Sequence, residues 1–220
     1  MTYVTTNEQL QAAIPVLAAL PRIVVDTETT GLDPFTESLL LVQVGDESVQ
    51  YVIDARKVDL APLKPILEDP TKPKVLHNAK FDYKMLAHLA DIRLVNVADT
   101  MLTEMVLENG RLRKGFGLAA VYERYTGKSV SKAMQTSFIN HSGDFTKTQL
   151  DYAAADVILP IQILRRQMTK AKQRELIHTV KLESAVVVAI AQMELNGFLV
   201  DQEKWRELVA AAGVRATEIR

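Results

Sequence analysis

A mixed α/β domain with a C-terminal helical extension is what this chain predicts, and three observations lead there. Strand-like and helix-like periods alternate between Arg22 and Leu107, three short apolar runs come in succession, and helical spacing dominates beyond Gly115. In order, Thr6-Asn7-Glu8-Gln9 is a capping-box pattern followed by Leu10, Ile14, Leu17 and Leu20 at helical spacing, with Pro15 expected to bend or shorten that helix. Arg22 to Asp26 then reads as a central strand, because consecutive Ile23, Val24 and Val25 suit burial on both faces, and Gly31 and Pro34 mark the turn after it. Leu39 to Val44 and Val49 to Ile53, split by Gly45-Asp46-Glu47, read as an antiparallel pair.

Alternation follows, with helix at Leu60 to Leu67, strand at Lys74 to Leu76, helix at Phe81 to Leu89 and strand at Leu94 to Val97. A helix over Met101 to Leu107 is capped by Asp99 and closed by Asn109-Gly110. Leu118 to Tyr125 is helical, Lys128 to Phe145 is polar, and Thr146-Lys147-Thr148-Gln149 is a second capping box. Helical spacing returns at Leu182, Val186, Ala189, Ile190 and Met193, stops at Asn196-Gly197 and restarts after Asp201 with Trp205, Leu208 and Val209. Residues from about 176 on are expected to open a second region that continues past this sequence.

Composition excludes several classes of function. The 220 residues carry 26 Lys and Arg against 27 Asp and Glu, a net charge of −1 that neither demands nor forbids nucleic acid. With no cysteine, a disulfide framework, a thiol nucleophile and a Cys-based zinc site are all excluded. The longest uncharged run, Gln9 to Pro21, is too short and too polar to span a bilayer. The N-terminus lacks the basic and apolar regions of a secretory signal, so the chain is expected in the cytoplasm, or a host cell's cytoplasm if viral.

Three acidic motifs carry the chemistry. Asp26-Thr27-Glu28 sets two carboxylates at i and i+2 of a strand, on one face and about 7 Å apart. Asp82 falls in the first turn of the helix after His77-Asn78, where the helix dipole also favours a carboxylate; Asn78 reads equally as a cap, and His77 as a structural imidazole. Tyr152 and Asp156 are spaced i, i+4, with Ala153, Ala154 and Ala155 between them to let the helix approach the sheet. Pro160 would clash with the carbonyl of residue 156, so a kink or break is expected just past the acid. Carboxylates crowded together repel and titrate upward unless a cation sits among them, and oxygen-only ligands favour Mg2+ or Mn2+.

VVDTETTGLD, HNAKFD and YAAAD resemble the motifs of the proofreading 3′-5′ exonuclease superfamily named for its Asp-Glu-Asp-Asp acids, in its tyrosine form. The similarity is greatest to the exonuclease domain of DNA polymerase I-type enzymes and covers residues 1–175. LESAVVVAIAQMELNGFLVD, within 176–220, resembles the passage into a polymerase region. The resemblance implies a ribonuclease H-like fold with a five-stranded mixed sheet flanked by helices. It implies two divalent ions, Mg2+ or Mn2+, with Asp26, Glu28 and Asp156 on one, Asp26 bridging to the second, Asp82 acting on the second through water, and Tyr152 orienting the attacking water.

Leu32 matches the position where the family wedges an apolar side chain against the terminal base and reads equally as a turn leucine covering the core. Asn78 and Lys80 match the second motif as substrate-binding candidates that would either meet a phosphate or support the Asp82 helix. Phe138 is a candidate for the aromatic that family members place before the third motif. The implied partners are single-stranded or frayed DNA 3′ ends and a polymerase domain in the same natural chain; no membrane is expected, and a monomer is. Arg165, Arg166, Lys170, Lys172 and Arg174, and separately Arg111, Arg113 and Lys114, form basic clusters that read either as phosphate contacts or as solvated faces. Competing readings are an RNA-trimming exonuclease of the ribonuclease D type and a catalytically silent nucleic-acid-binding domain.

Overall fold

A computed structural model describes residues 1–111, 115–130 and 135–218, so Arg113 and Lys114 lie outside the described residues. In chain order it runs β1 (Thr2–Val4), α1 (Asn7–Ala19), β2 (Ile23–Thr29), β3 (Leu39–Gly45), β4 (Gln50–Asp54), a 3-10 turn (Ala61–Leu63), α2 (Lys64–Leu67), β5 (Lys74–Leu76), α3 (Ala79–Leu89), β6 (Val97–Asp99) and α4 (Thr100–Leu107). Then come α5 (Leu118–Thr126), a 3-10 turn (Gln135–Phe138), α6 (Lys147–Gln173), α7 (Ile177–Asn196) and α8 (Gln202–Glu218). The expected α/β fold is present, and its mixed sheet has the order β1-β4-β3-β2-β5-β6. The β4-β3-β2 meander is antiparallel, and β1, β5 and β6 pair in parallel.

The sixth strand is β1, which is too short to show a period. It is added by pairing with β4, where the Tyr3 hydroxyl donates to Asp54 Oδ2 at 2.8 Å. The strand expected at Leu94 to Val97 lies further on, as β6: Asn96 adopts φ +55, which interrupts an extended run, while Ile92 and Leu94 are buried from a loop. Both capping boxes form, at Thr6 with Gln9 and at Thr146 with Gln149. Neither proline stops its helix. Pro15 lies within α1 and Pro160 within the 27-residue α6, which continues unbroken past Asp156. Pro160 sits between Leu159 and Ile161, and the burial of all three offsets the roughly 3 kcal/mol that an interior proline costs.

Strand alternation divides the core. Ile23 and Val25 of β2 pack with Leu10 and Leu17 of α1 and with Met85 and Leu86 of α3, whereas Val24 packs with Val75, Val157 and Ile161 on the opposite face, under α6. Ala153 and Ala154 of α6 press against Leu41 and Val52 on that second face. α7 lies on α3, α4 and β6 and buries Val180, Ser184, Val187 and Ala191, while α8 buries no side chain. Among the described residues, no helix is long and apolar enough to cross a membrane.

Candidate active site

β2 continues past the expected strand end to Thr29, so Asp26 and Glu28 follow Val24 on the face that α6 covers. β3 answers with a bulge: Glu28 pairs with Leu41 and Thr29 with Leu39, leaving Leu40 as the extra residue. α6 delivers Tyr152 and Asp156 from one of its faces. One carboxylate oxygen each from Asp26, Glu28 and Asp156 lies within 4.8 Å of the others, close enough to share a cation.

Asp82 is the fourth acid and stands beside this group. It is buried in the first turn of α3, and Thr27, between the two strand acids but facing the other way, donates its hydroxyl to Asp82 Oδ1 at 2.7 Å. All four acids, with Tyr152 and Asn78, line one cavity of about 440 Å³.

The turn that sets α3 in place has a remote support. Asn78 occupies the cap position at φ +68 and makes no side-chain cap hydrogen bond. Instead the carboxylate of Asp99 accepts from Asn78 N (3.2 Å) and Ala79 N (2.8 Å), as well as from Met101 N and Leu102 N of α4. One buried carboxylate therefore caps two helices. Its neighbour Thr100 donates to the Leu76 carbonyl at 3.0 Å and meets His77 Nδ1 at 2.8 Å, and its own carbonyl accepts from Gln167 Nε2 of α6 at 2.8 Å. Burial pushes His77 down to about 4, so the imidazole is neutral at pH 7.

The electrostatics follow from crowding. Burial, then the charges of Asp82, Asp156 and Glu28, push Asp26 well above the usual carboxylate range. Glu28 is pushed up to about 9 by burial and by Asp156 and Asp82. Burial lifts Asp82 to about 7, against the Thr27 hydrogen bond, and Asp156 to about 7, against the Tyr152 hydroxyl. Burial and the three nearby carboxylates raise Tyr152 further above the ordinary phenol value, so it remains a hydrogen-bond donor and is not a base. A site that, among the described residues, is lined by four acids and no Lys or Arg is chemically suited to hard divalent cations.

The remaining candidates divide. Leu32 is 81% exposed on the rim of the cavity, and Asn78 lines it. Lys80 is not among the lining residues and instead ion-pairs with Glu194 of α7 at 2.6 Å, alongside Lys84 at 2.7 Å. Phe138 is buried in the core between Tyr152 and Phe145, and among the described residues shortly before α6 the apolar side chains at the cavity are Val130 and its own neighbour Ile139, 56% exposed. The basic run on α6 is largely occupied: Arg165 pairs with Glu47 at 2.6 Å, Arg166 donates to the Tyr125 carbonyl, Lys170 lies over the Tyr125 ring and Arg174 donates to the Leu107 carbonyl. Thr27, Asp99 and Ile139 went unread as parts of the site. Only Thr27 had a local signal, its position between two acids on the opposite face of the strand.

The chain is 32% identical to a DNA polymerase I of Aquifex aeolicus over 92% of its own length and 36% of the relative's. It is 25% identical to the Ribonuclease D of Escherichia coli over 98% of its own length and 56% of that protein's. The crystal structure of Escherichia coli RNase D superposes with a TM-score of 0.78 at 25% identity, covering 96% of this chain and 54% of that one. The chain thus spans between about a third and about half of these relatives. A family description, 3′-5′ exonuclease, matches residues 1–172, a stretch that includes all four acids and Tyr152, and the chain belongs to this family.

Proposed function

We propose that this chain is a divalent-metal-dependent 3′-5′ exonuclease that removes nucleoside monophosphates from single-stranded or frayed DNA 3′ ends. The observation that carries the reading is the convergence of Asp26, Glu28 and Asp156 within 4.8 Å, with Asp82 beside them. These acids would hold two divalent ions, Mg2+ or Mn2+; when bound, such ions supply an ionised water at neutral pH and neutralise charge at the phosphorus. Asp26, whose carboxyl feels the charges of Asp82, Asp156 and Glu28, would be the acid that serves both ions. Tyr152, kept protonated beside Asp156, would orient the attacking water through its hydroxyl oxygen.

Leu32 and Ile139 would grip the terminal base by apolar contact from the rim. Leu32→Ala is expected to raise KM for a single strand roughly tenfold, the equivalent of losing about 1.4 kcal/mol of apolar contact, with kcat changed far less. A titration of initial rate against oligonucleotide concentration checks it.

The DNA reading, with a polymerase region in the same natural chain, draws on the Aquifex similarity and on residues 176–220. A second reading, trimming of RNA 3′ ends, is favoured by the similarity to Ribonuclease D, which runs through almost the whole chain. Incubation of 5′-labelled single-stranded DNA and RNA with Mg2+, Mn2+ or EDTA tests both. Stepwise shortening of DNA that EDTA abolishes is expected. RNA shortened at least as fast would move the assignment to the second reading, and neither substrate shortened would remove both.

A further inference from the structure

Gln43 of β3 is wholly buried, and neither Oε1 nor Nε2 of its amide has a hydrogen-bond partner among the described residues. A buried amide left in that condition opposes folding, and native interiors retain such groups where water, an ion or a functional group completes them. Its position in the sheet shows what it can serve. Gln43 pairs directly with Asp26 on β2 and with Val52 on β4, and Val52 in turn pairs with Tyr3 on β1. Tyr3, Val52, Gln43 and Asp26 thus form one cross-strand row.

That row faces α6. Leu41, two residues before Gln43, and Val52 both pack with Ala153 and Ala154, whereas Val42 and Val44 pack on the other side of the sheet. Within this enclosure Val52 is apolar, the two alanines bring only methyl groups, and the Tyr3 hydroxyl is given to Asp54. The carboxylate of Asp26 is the polar group left in the row. Directly opposed residues of an antiparallel pair have Cβ atoms about 4.5–5.5 Å apart, so a glutamine amide left without a direct partner reaches that carboxylate across one water.

Resting on the metal-dependent reading above, we infer that Gln43 is a positioning residue: its amide hydrogen-bonds the carboxylate of Asp26 through one buried water and fixes the orientation in which Asp26 meets a divalent cation. Carboxylates that bind metals are commonly held by such outer partners, whose loss typically weakens metal affinity 10- to 100-fold. Replacing Gln43 by an apolar side chain removes both the burial cost of the amide and its hydrogen bond towards Asp26, opposing effects that should leave the metal-free fold close to the parent in stability.

Gln43→Met keeps the length and shape of the side chain, and Gln43→Leu is a second variant in case the thioether packs poorly. Calorimetric titration of the metal-free proteins with Mn2+, together with their melting temperatures in EDTA, gives two independent readouts. The expected result is a roughly 10- to 100-fold loss of Mn2+ affinity with a melting temperature in EDTA close to the parent's. Mn2+ affinity within twofold of the parent in a folded variant overturns the assignment of Gln43 and leaves the exonuclease reading standing. Failure of the parent protein itself to bind Mn2+ overturns both.

Discussion

Asp26→Ala is expected to reduce 3′-5′ hydrolysis by roughly a thousandfold or more at saturating Mg2+, because it removes one of the three carboxylates grouped closely enough to share a cation, the one whose carboxyl feels the charges of Asp82, Asp156 and Glu28. Losing several kcal/mol of charge stabilisation at the phosphorus corresponds to at least that factor. Tyr152→Phe should cost less, roughly 10- to 100-fold, the equivalent of one hydrogen bond to a charged or polarised partner. The phenol is held above its ordinary pKa by burial and by Asp156, Glu28 and Asp26, so it cannot be the proton acceptor whose loss would stop the reaction. Single-turnover rates on a labelled oligonucleotide in Mg2+ and in Mn2+ rank the two variants. Equal residual rates at saturating Mn2+ would contradict the assignment of Asp26 as the shared ligand. A Tyr152→Phe loss as large as that of Asp26→Ala would contradict an orienting role for the tyrosine.

In EDTA the melting temperature should fall as pH rises from about 5 to 9. Asp82 and Asp156 are held at about 7 and Glu28 at about 9, whereas in the unfolded chain carboxyls titrate near 4. Between these values the folded protein retains protons that the unfolded chain has released, so stability has a negative slope with pH. The contribution is complete below about pH 4 and is lost progressively as pH passes through the folded values of about 7 and then about 9. Several such groups together amount to several kcal/mol, or on the order of 10 °C for a chain of this size.

Divalent cations should reverse the trend, since they bind the ionised carboxylates and stabilise the folded state by mass action. The increase in melting temperature produced by Mg2+ or Mn2+ is therefore expected to be larger at pH 8 than at pH 6. Melting curves at both pH values, with EDTA and with each cation, provide the check. A melting temperature independent of pH in EDTA and unmoved by either ion would count against the carboxylate cluster as a cation site.

Much of the site was legible because its signals are local. Asp26 and Glu28 declare their common face by strand spacing, Tyr152 and Asp156 theirs by helical spacing, and Thr146 announces the helix that carries the second pair. Asp99 was readable as the cap of α4, yet its second duty at the start of α3 was not, since its two backbone partners there lie 20 and 21 residues earlier in the chain. Lys80 illustrates the same limit. Its motif position suggests substrate, whereas its partner Glu194 stands 114 residues away on α7. Phe138 and Ile139 are adjacent and similarly apolar, and only packing against Tyr152 and Phe145 decides which one is buried and which faces the cavity.

By itself the sequence determined the α/β class, the central strand, both helix caps and the identity and order of the acids, because each of these depends on residues a few positions apart. The tertiary structure alone decided that β1 joins the sheet, that α6 runs unbroken through Pro160, that Thr27 and Asp99 set Asp82 in place, and that Gln43 lies opposite Asp26. Those outcomes depend on which distant surfaces meet when apolar area is buried, a competition that no local period records.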